Sequence, residues 1–234
     1  MRAQHLPPSL LLWTTVAVLS AGCAQVDVRL TAYLSSSVPF PGPGEENPIG
    51  IVVAAPHAQS LLEAEVSAKL AKLLRERDYT LAPPEQAAYL LSCSFSIDPG
   101  RTATRMVPVH RPGRTYRTYY YGPYRTYTVR TTTVPGYTRY VPERYTVFTR
   151  YLNLSLIKLE PPTQRPEGEL NGPPAWECEA YSPGQSTDLR WIVNHLLLAA
   201  FDCFGKDTDR QVRVVLPWSD ERVERLARGL HAKE

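Results

Sequence analysis

Polar and apolar positions divide the chain into short strands and two amphipathic helices. Residues 26–34 (Val-Asp-Val-Arg-Leu-Thr-Ala-Tyr-Leu) read as a strand, and the Ser-, Pro- and Gly-rich stretch 35–48 as a loop. Residues 49–55 form a short continuous apolar run, the pattern of a buried strand. From Ser60 to Arg77 the period becomes helical. Leu62, Val66, Leu70 and Leu73 line one face, and Pro83-Pro84 blocks any continuation. Tyr89, Leu91, Cys93, Phe95 and Ile97 alternate with Ser92, Ser94 and Ser96, which predicts a strand with one dry and one wet face. Leu152, Leu154 and Leu156 repeat that alternation, as do Trp176, Cys178 and Ala180 against Glu177 and Glu179. A second helix is expected from about Thr187 to Phe204, with Asp188 at its positive end and Gly205 as terminator. Residues 211–216 suit a last strand, and Ser219-Asp220-Glu221 opens a charged terminal helix.

The order is β-β-α-β, a long insert, then β-β-α-β-α. Strands and helices do not strictly alternate. The expected class is therefore α+β, a mostly antiparallel sheet with two main helices packed on one face.

Charge changes the picture of the insert. The whole chain carries only +3, too little to suggest a nucleic-acid protein. Residues 101–150, however, hold ten Arg, no Lys and one acid, Glu143, so this stretch carries +9. Ten of the fourteen Tyr fall between residues 116 and 151. Arg-Thr-Tyr occurs at 114–116, 117–119 and 125–127, with Gly122-Pro123 between the last two and Pro135-Gly136 marking a second turn. Tyr, Thr and Val favour extended backbone, yet no apolar alternation marks a core face. An exposed basic arm is expected. Its Arg and Tyr either solubilise a projecting hairpin or form a binding surface, with Arg114, Tyr116, Arg117, Tyr119, Arg125 and Tyr127 as candidate contacts for an anion or partner.

The N-terminus indicates where the arm would act. Arg2 precedes an apolar run from Leu10 to Leu19, followed by Ser20-Ala21-Gly22-Cys23, the layout of a secretory signal. Ala-Gly-Cys resembles the bacterial lipobox, with Ser20 where Leu is usual. The resemblance implies a signal peptide over residues 1–22, cleavage before Cys23, and acylation of Cys23 with diacylglycerol and a further acyl chain such as palmitate. Two or more acyl chains anchor a protein firmly. Because Ala24 is not the retaining Asp, the resemblance implies an outer-membrane protein facing the periplasm. Residues 23–234 then form a single domain carrying the insert.

Chemistry is sparse elsewhere. Cys93, Cys178 and Cys203 show no metal-type spacing, and an oxidising periplasm would permit a Cys93–Cys178 bridge if their strands were neighbours. His57, His110, His195 and His231 form no metal motif, and His195 reads as a flank or core residue of the second helix. No nucleophile elbow or phosphate loop occurs, and Glu177 and Glu179 lie on a wet strand face. No cofactor or metal is expected.

Several local features fall in a familiar sequence: Leu61-Leu62-Glu63, the helix ending in Arg77-Asp78-Tyr79, Ala87-Ala88-Tyr89 opening a strand, and Ala175-Trp176-Glu177 before the second helix. Over roughly residues 26–205 the chain resembles the bacterial lipoprotein family known as domain of unknown function 4136. Asp78 replaces that family's Gly and Ala88 its acidic residue. The resemblance implies compartment and fold, and it brings no site residues. The functional expectation is a lipid-anchored envelope protein without catalytic activity, presenting an interaction or structural surface to another envelope component. The alternative is binding of an anionic lipid or envelope polymer through the insert.

Overall fold

The computed structural model describes residues 25–54, 60–121, 123, 127–160 and 171–228, with Ser60, Tyr127 and Thr128 by backbone alone. Its strands are β1 (Gln25–Leu34), β2 (Ile49–Ala54), β3 (Tyr89–Ile97), β4 (Arg101–Arg111), β5 (Arg114–Tyr121), β6 (Tyr127–Val134), β7 (Tyr137–Lys158), β8 (Pro174–Gly184) and β9 (Val212–Pro217). The helices are α1 (Ser60–Arg75), α2 (Leu189–Asp202) and α3 (Glu221–Arg228). The central sheet runs β2-β3-β7-β8-β1-β9, and only the β2–β3 pair is parallel. The fold is α+β, as expected, with α1 and α2 on one face and α3 packed against α2.

The register turns the period-two patterns into rows across the sheet. One row reads Val53, Cys93, Leu154, Cys178, Ala32; the next reads Ile51, Leu91, Leu156, Trp176, Leu34. Against them pack Val66, Leu70 and Leu74 of α1 and Ile192, Val193, Leu196 and Leu197 of α2. Each such fully buried side chain contributes about 1.5–3 kcal/mol. The apolar run at 49–55 belongs to an edge strand rather than an interior one. It is apolar on both sides because Ile51 and Val53 face the main core while Val52 meets a smaller cluster of Ala87, Leu90, Leu159 and Ile157. Ala55 lies outside the described residues.

The same row corrects the expected disulfide. Cys93 and Cys178 share a face, but β7 lies between their strands and Leu154 sits between the two thiols. Two strand spacings amount to about 9.5 Å, beyond the roughly 7 Å that a disulfide spans between Cα atoms. Both thiols are free and buried, and burial pushes each pKa up to about 12. Thiol labelling of the native protein should therefore leave both unmodified, with modification on denaturation. A native mass 2 Da low (~2 Da for the two hydrogens lost in a bridge) would contradict this arrangement.

Helix ends are made by particular residues. Asp188 caps α2, its Oδ1 accepting the Trp191 amide at 3.0 Å. Beyond α2, Gly205 has φ +71°, and a Cβ there would come within 2.7 Å of the Phe40 ring. α1 closes with two backbone bonds, Tyr79 N–H to Leu74 O (3.1 Å) and Asp78 N–H to Arg75 O (3.0 Å). Asp78 takes the left-handed position at φ 62°, where Gly has no steric cost. Asp78→Gly should raise stability by up to about 1 kcal/mol, read from the urea midpoint; a loss would show that the Asp side chain contributes at this turn.

The insert grows directly out of the central sheet. Ile97 pairs with Arg150 of β7, and Arg101 with Val147. Four residue steps on one strand thus oppose three on the other, a bulge at Asp98-Pro99-Gly100. Asp98 Oδ1 accepts both the Thr149 amide (2.8 Å) and the Gly100 amide (3.0 Å), and these bonds, Thr149 foremost, hold its carboxyl below the usual range. Arg150, counted by sequence within the basic arm, belongs to the core. It is 3% exposed, and its guanidinium donates to Ser186 O and Ser182 Oγ, each at 3.2 Å. It lies in phase with Leu152 and Leu154, and it ties the root of the arm to the segment before α2. The exposed arm therefore ends near Val147.

Candidate functional site: the arginine–tyrosine ribbon

Beyond the bulge the chain forms a long two-stranded antiparallel ribbon. β4 pairs with the first half of β7, and β5 pairs with β6. Pro135-Gly136 is no chain reversal, contrary to the sequence reading. It stands opposite Pro112-Gly113, so that both strands break their ladders together and then resume. Glycine is required at both steps by close approach. A Cβ on Gly113 would lie 2.7 Å from Val134 O, and one on Gly136 2.8 Å from Arg111 O. The ladder runs out to the Tyr121–Tyr127 pair, and Gly122 and residues 124–126, Arg125 among them, lie outside the described residues. The same is true of Cys23 and of the Tyr127 side chain.

The candidate contacts do not share one surface. Side chains alternate along a strand, so a three-residue repeat places successive copies on opposite faces. Arg114 and Tyr116 point to one side, with Arg130 and Val134 across the ladder; Arg117 and Tyr119 point to the other, with Val129. The ribbon is thus two-sided, with cation and aromatic on each face. Arg101, Arg105, Arg111, Arg114, Arg117, Arg130, Arg139 and Arg144 are all exposed. Only Arg105 has an ion-pair partner among the described residues: it holds Glu143 at 2.7 Å and lies 5.3 Å from the Tyr145 ring centre. Thr115 with Thr133 and His110 with Thr138 add hydroxyl contacts across the ladder.

At the paired Pro-Gly steps the ribbon folds around a cleft of about 480 Å³, lined by Arg111, Pro112, Arg114, Tyr116, Val134, Pro135 and Tyr137. Sequence reading had singled out Arg114 and Tyr116 but missed Arg111 and Tyr137. A signal was present: Pro112-Gly113 and Pro135-Gly136 stand at equal distances from Tyr124, at the centre of the hairpin.

Other candidates offer less. His195 is fully buried, its Nδ1 3.3 Å from Trp191 O, and burial pushes its pKa down against the pull of the Trp191, Pro217 and Trp218 backbone. Such an imidazole is neutral at pH 7 and belongs to the core. A shallow hollow of about 180 Å³ on the open sheet face is lined by Ser92, Ser94, Asn153, Ser155, Glu177 and Glu179, which are wet as expected. A groove of about 260 Å³ between the helices holds Lys72, Arg77, Arg222 and Arg225 beside Glu76 and Asp202. Several of its cations are already engaged: Arg77 donates to Phe201 O, Lys72 to Arg225 O, and Arg222 to Asp202. Among the described residues no group of His, Cys, Asp and Glu is placed to hold a metal ion, and no helix is long and apolar enough to cross a membrane.

No family model and no curated protein matches the sequence. Among solved structures, the chain is similar to a PDZ domain protein from Parabacteroides distasonis, at 13% identity and a TM-score of 0.43, over 82% of this chain. It spans 39% of that protein's length. It is also similar to the PelC dodecamer from Paraburkholderia phytofirmans, at 13% identity and a TM-score of 0.36, over 74% of this chain and 92% of that one. Likenesses of this size carry no functional argument.

Proposed function

We propose that this is a lipid-anchored protein of the bacterial envelope, without catalytic activity, that holds its ribbon out as a contact surface for another envelope component. The observation that carries the reading is the ribbon itself. A two-stranded ribbon exposed on both faces is marginal in water alone, and residues 114–121 are exposed throughout. Its side chains contribute nothing to the core, so their chemistry is free for a partner. What supports the compartment is the lipobox-like Ser20-Ala21-Gly22-Cys23. Acylated Cys23 would hold the folded domain at the periplasmic side of the outer membrane. Intact mass of the membrane fraction should show Cys23 as the acylated first residue; an unlipidated Cys23 would remove the anchor from this reading.

A second reading, an anionic lipid or polymer as the component, is favoured by the exposed arginines that have no ion-pair partner among the described residues. Nucleic acid suits the same chemistry but not the secreted compartment. Salt separates a polyanion from a protein contact, because exposed charge pairs are screened beyond a Debye length of about 8 Å at physiological ionic strength. The direct test is in-cell photo-crosslinking from Tyr119 on the ribbon and from Ser94 on the open sheet face. Adducts from Tyr119 are expected. Adducts from Ser94 alone would move the contact to the sheet.

A further inference from the structure

We propose that the cleft at the Pro-Gly joint is a binding site for a phosphate group carried on a sugar or glycerol body. The inference rests on the reading of the ribbon as a contact surface and assigns that surface a ligand chemistry. Arg111 and Arg114 are three residues apart, and on an uninterrupted strand they would point to opposite faces. Val134 and Tyr137 stand in the same relation on the other strand. All four nevertheless line one cleft. The paired breaks interrupt the alternation of both strands, so residues that would otherwise lie on opposite faces border one cleft.

The joint is built to hold that turn. The two glycine backbones touch so closely that a Cβ on either would lie 2.8 Å from the other's amide nitrogen. Pro112 and Pro135 each fix their backbone φ. The backbone turn of the joint is therefore set before any ligand arrives, and only the side chains order on binding.

The lining defines the ligand. Arg111 and Arg114 have no carboxylate partner among the described residues, and Glu143, the acid of the arm, is engaged by Arg105. A carboxylate offers two oxygens in one plane and a single charge, whereas a phosphate offers three or more in a tetrahedral array and up to two charges, so two guanidinium forks suit the phosphate better. The volume of about 480 Å³ exceeds what a bare phosphate fills. Tyr116, Tyr137, Val134 and the two prolines supply flat apolar walls for a carbon body beside it. Phosphorylated envelope sugars and glycerophospholipid head groups share this chemistry.

The test is calorimetric titration of the full chain in detergent with inorganic phosphate, glucose 1-phosphate, and short-chain phosphatidylglycerol beside phosphatidylcholine. The R111Q/R114Q variant is compared with R117Q/R130Q, which removes equal charge from the same ribbon outside the cleft. At least one phosphorylated probe should bind more tightly than inorganic phosphate. R111Q/R114Q should weaken it at least about tenfold and R117Q/R130Q by less than about threefold. Preference for glucose 1-phosphate points to a polymer sugar, and preference for phosphatidylglycerol to a lipid head group; either supports the site. Equal losses in the two variants, or no binding of any phosphate probe, would overturn it. Gly113→Ala, which forces the joint apart, should weaken binding as R111Q/R114Q does while both arginines remain. If Tyr119 still crosslinks when no phosphate probe binds, the cleft assignment fails and the ribbon reading stands.

Discussion

Replacing Trp176 with Ala should lower the unfolding free energy by about 3–5 kcal/mol, the range for deleting a large buried aromatic. The indole is 1% exposed, and its N–H donates to Lys206 O at 3.1 Å. It occupies the row between Leu156 and Leu34, and its ring meets Phe204 edge-on at 4.9 Å. Phe204 in turn touches Phe40, Tyr79 and Phe201, so the cavity would open where the sheet, the end of α2 and two loops converge. Trp176→Phe also leaves the Lys206 carbonyl without its donor, but it keeps a ring against Phe204 and opens a smaller cavity, so it should lose less. Urea unfolding measures both. Tyr116→Ala on the ribbon should stay within about 0.5 kcal/mol, as surface changes do.

The second large effect lies at the seam of the two main helices. Lys69 of α1 is 1% exposed and bonds Glu65 one turn earlier, while Arg190 of α2 reaches the other Glu65 oxygen at 2.7 Å. Removing one partner of a buried pair strands the other charge. Glu65→Ala should therefore cost about 3 kcal/mol or more, and Lys69→Met in the same chain should recover much of it. The pH dependence has a definite sign. Burial alone would raise the Glu65 pKa, but the bonds and charges of Lys69 and Arg190 outweigh it, and the pKa falls below its ordinary value. A depressed carboxylate contributes stability above its unfolded pKa of about 4.3 and loses it as pH falls through the folded value. The stability difference between wild type and Glu65→Ala should accordingly shrink below about pH 4. A constant difference across that range would place the effect in packing rather than charge.

The core was legible because burial imposes a period. Leu91, Cys93 and Phe95 announced a two-residue alternation, and Leu62, Val66, Leu70 and Leu73 a helical one, and each occupies the position its pattern required. Strand order carries no such mark. The Cys93–Cys178 bridge was conditional on adjacency, and the interposed β7 decides the matter. In the ribbon neither face is buried, so selection leaves no alternation to read. Its pairing shows only in symmetric features such as the two Pro-Gly steps. Read singly, Pro135-Gly136 signals a turn; read with Pro112-Gly113 across the hairpin, it signals a joint. Arg150 shows the opposite error. Composition assigned its charge to the arm, although its phase with Leu152 and Leu154 placed it on the core face.

A clean separation of arm from core follows from this arrangement. The arm must be cut beyond the bulge, since Phe148–Arg150 pair with β8 and Arg150 anchors the root. The decisive measurement is in-cell crosslinking capture with the intact protein beside a version in which residues 104–144 are replaced by a short turn, each checked for its unfolding midpoint. A folded, shortened protein that loses a specific captured component is the expected result. An unchanged set of captured components from that folded protein would contradict the ribbon's role as the contact surface.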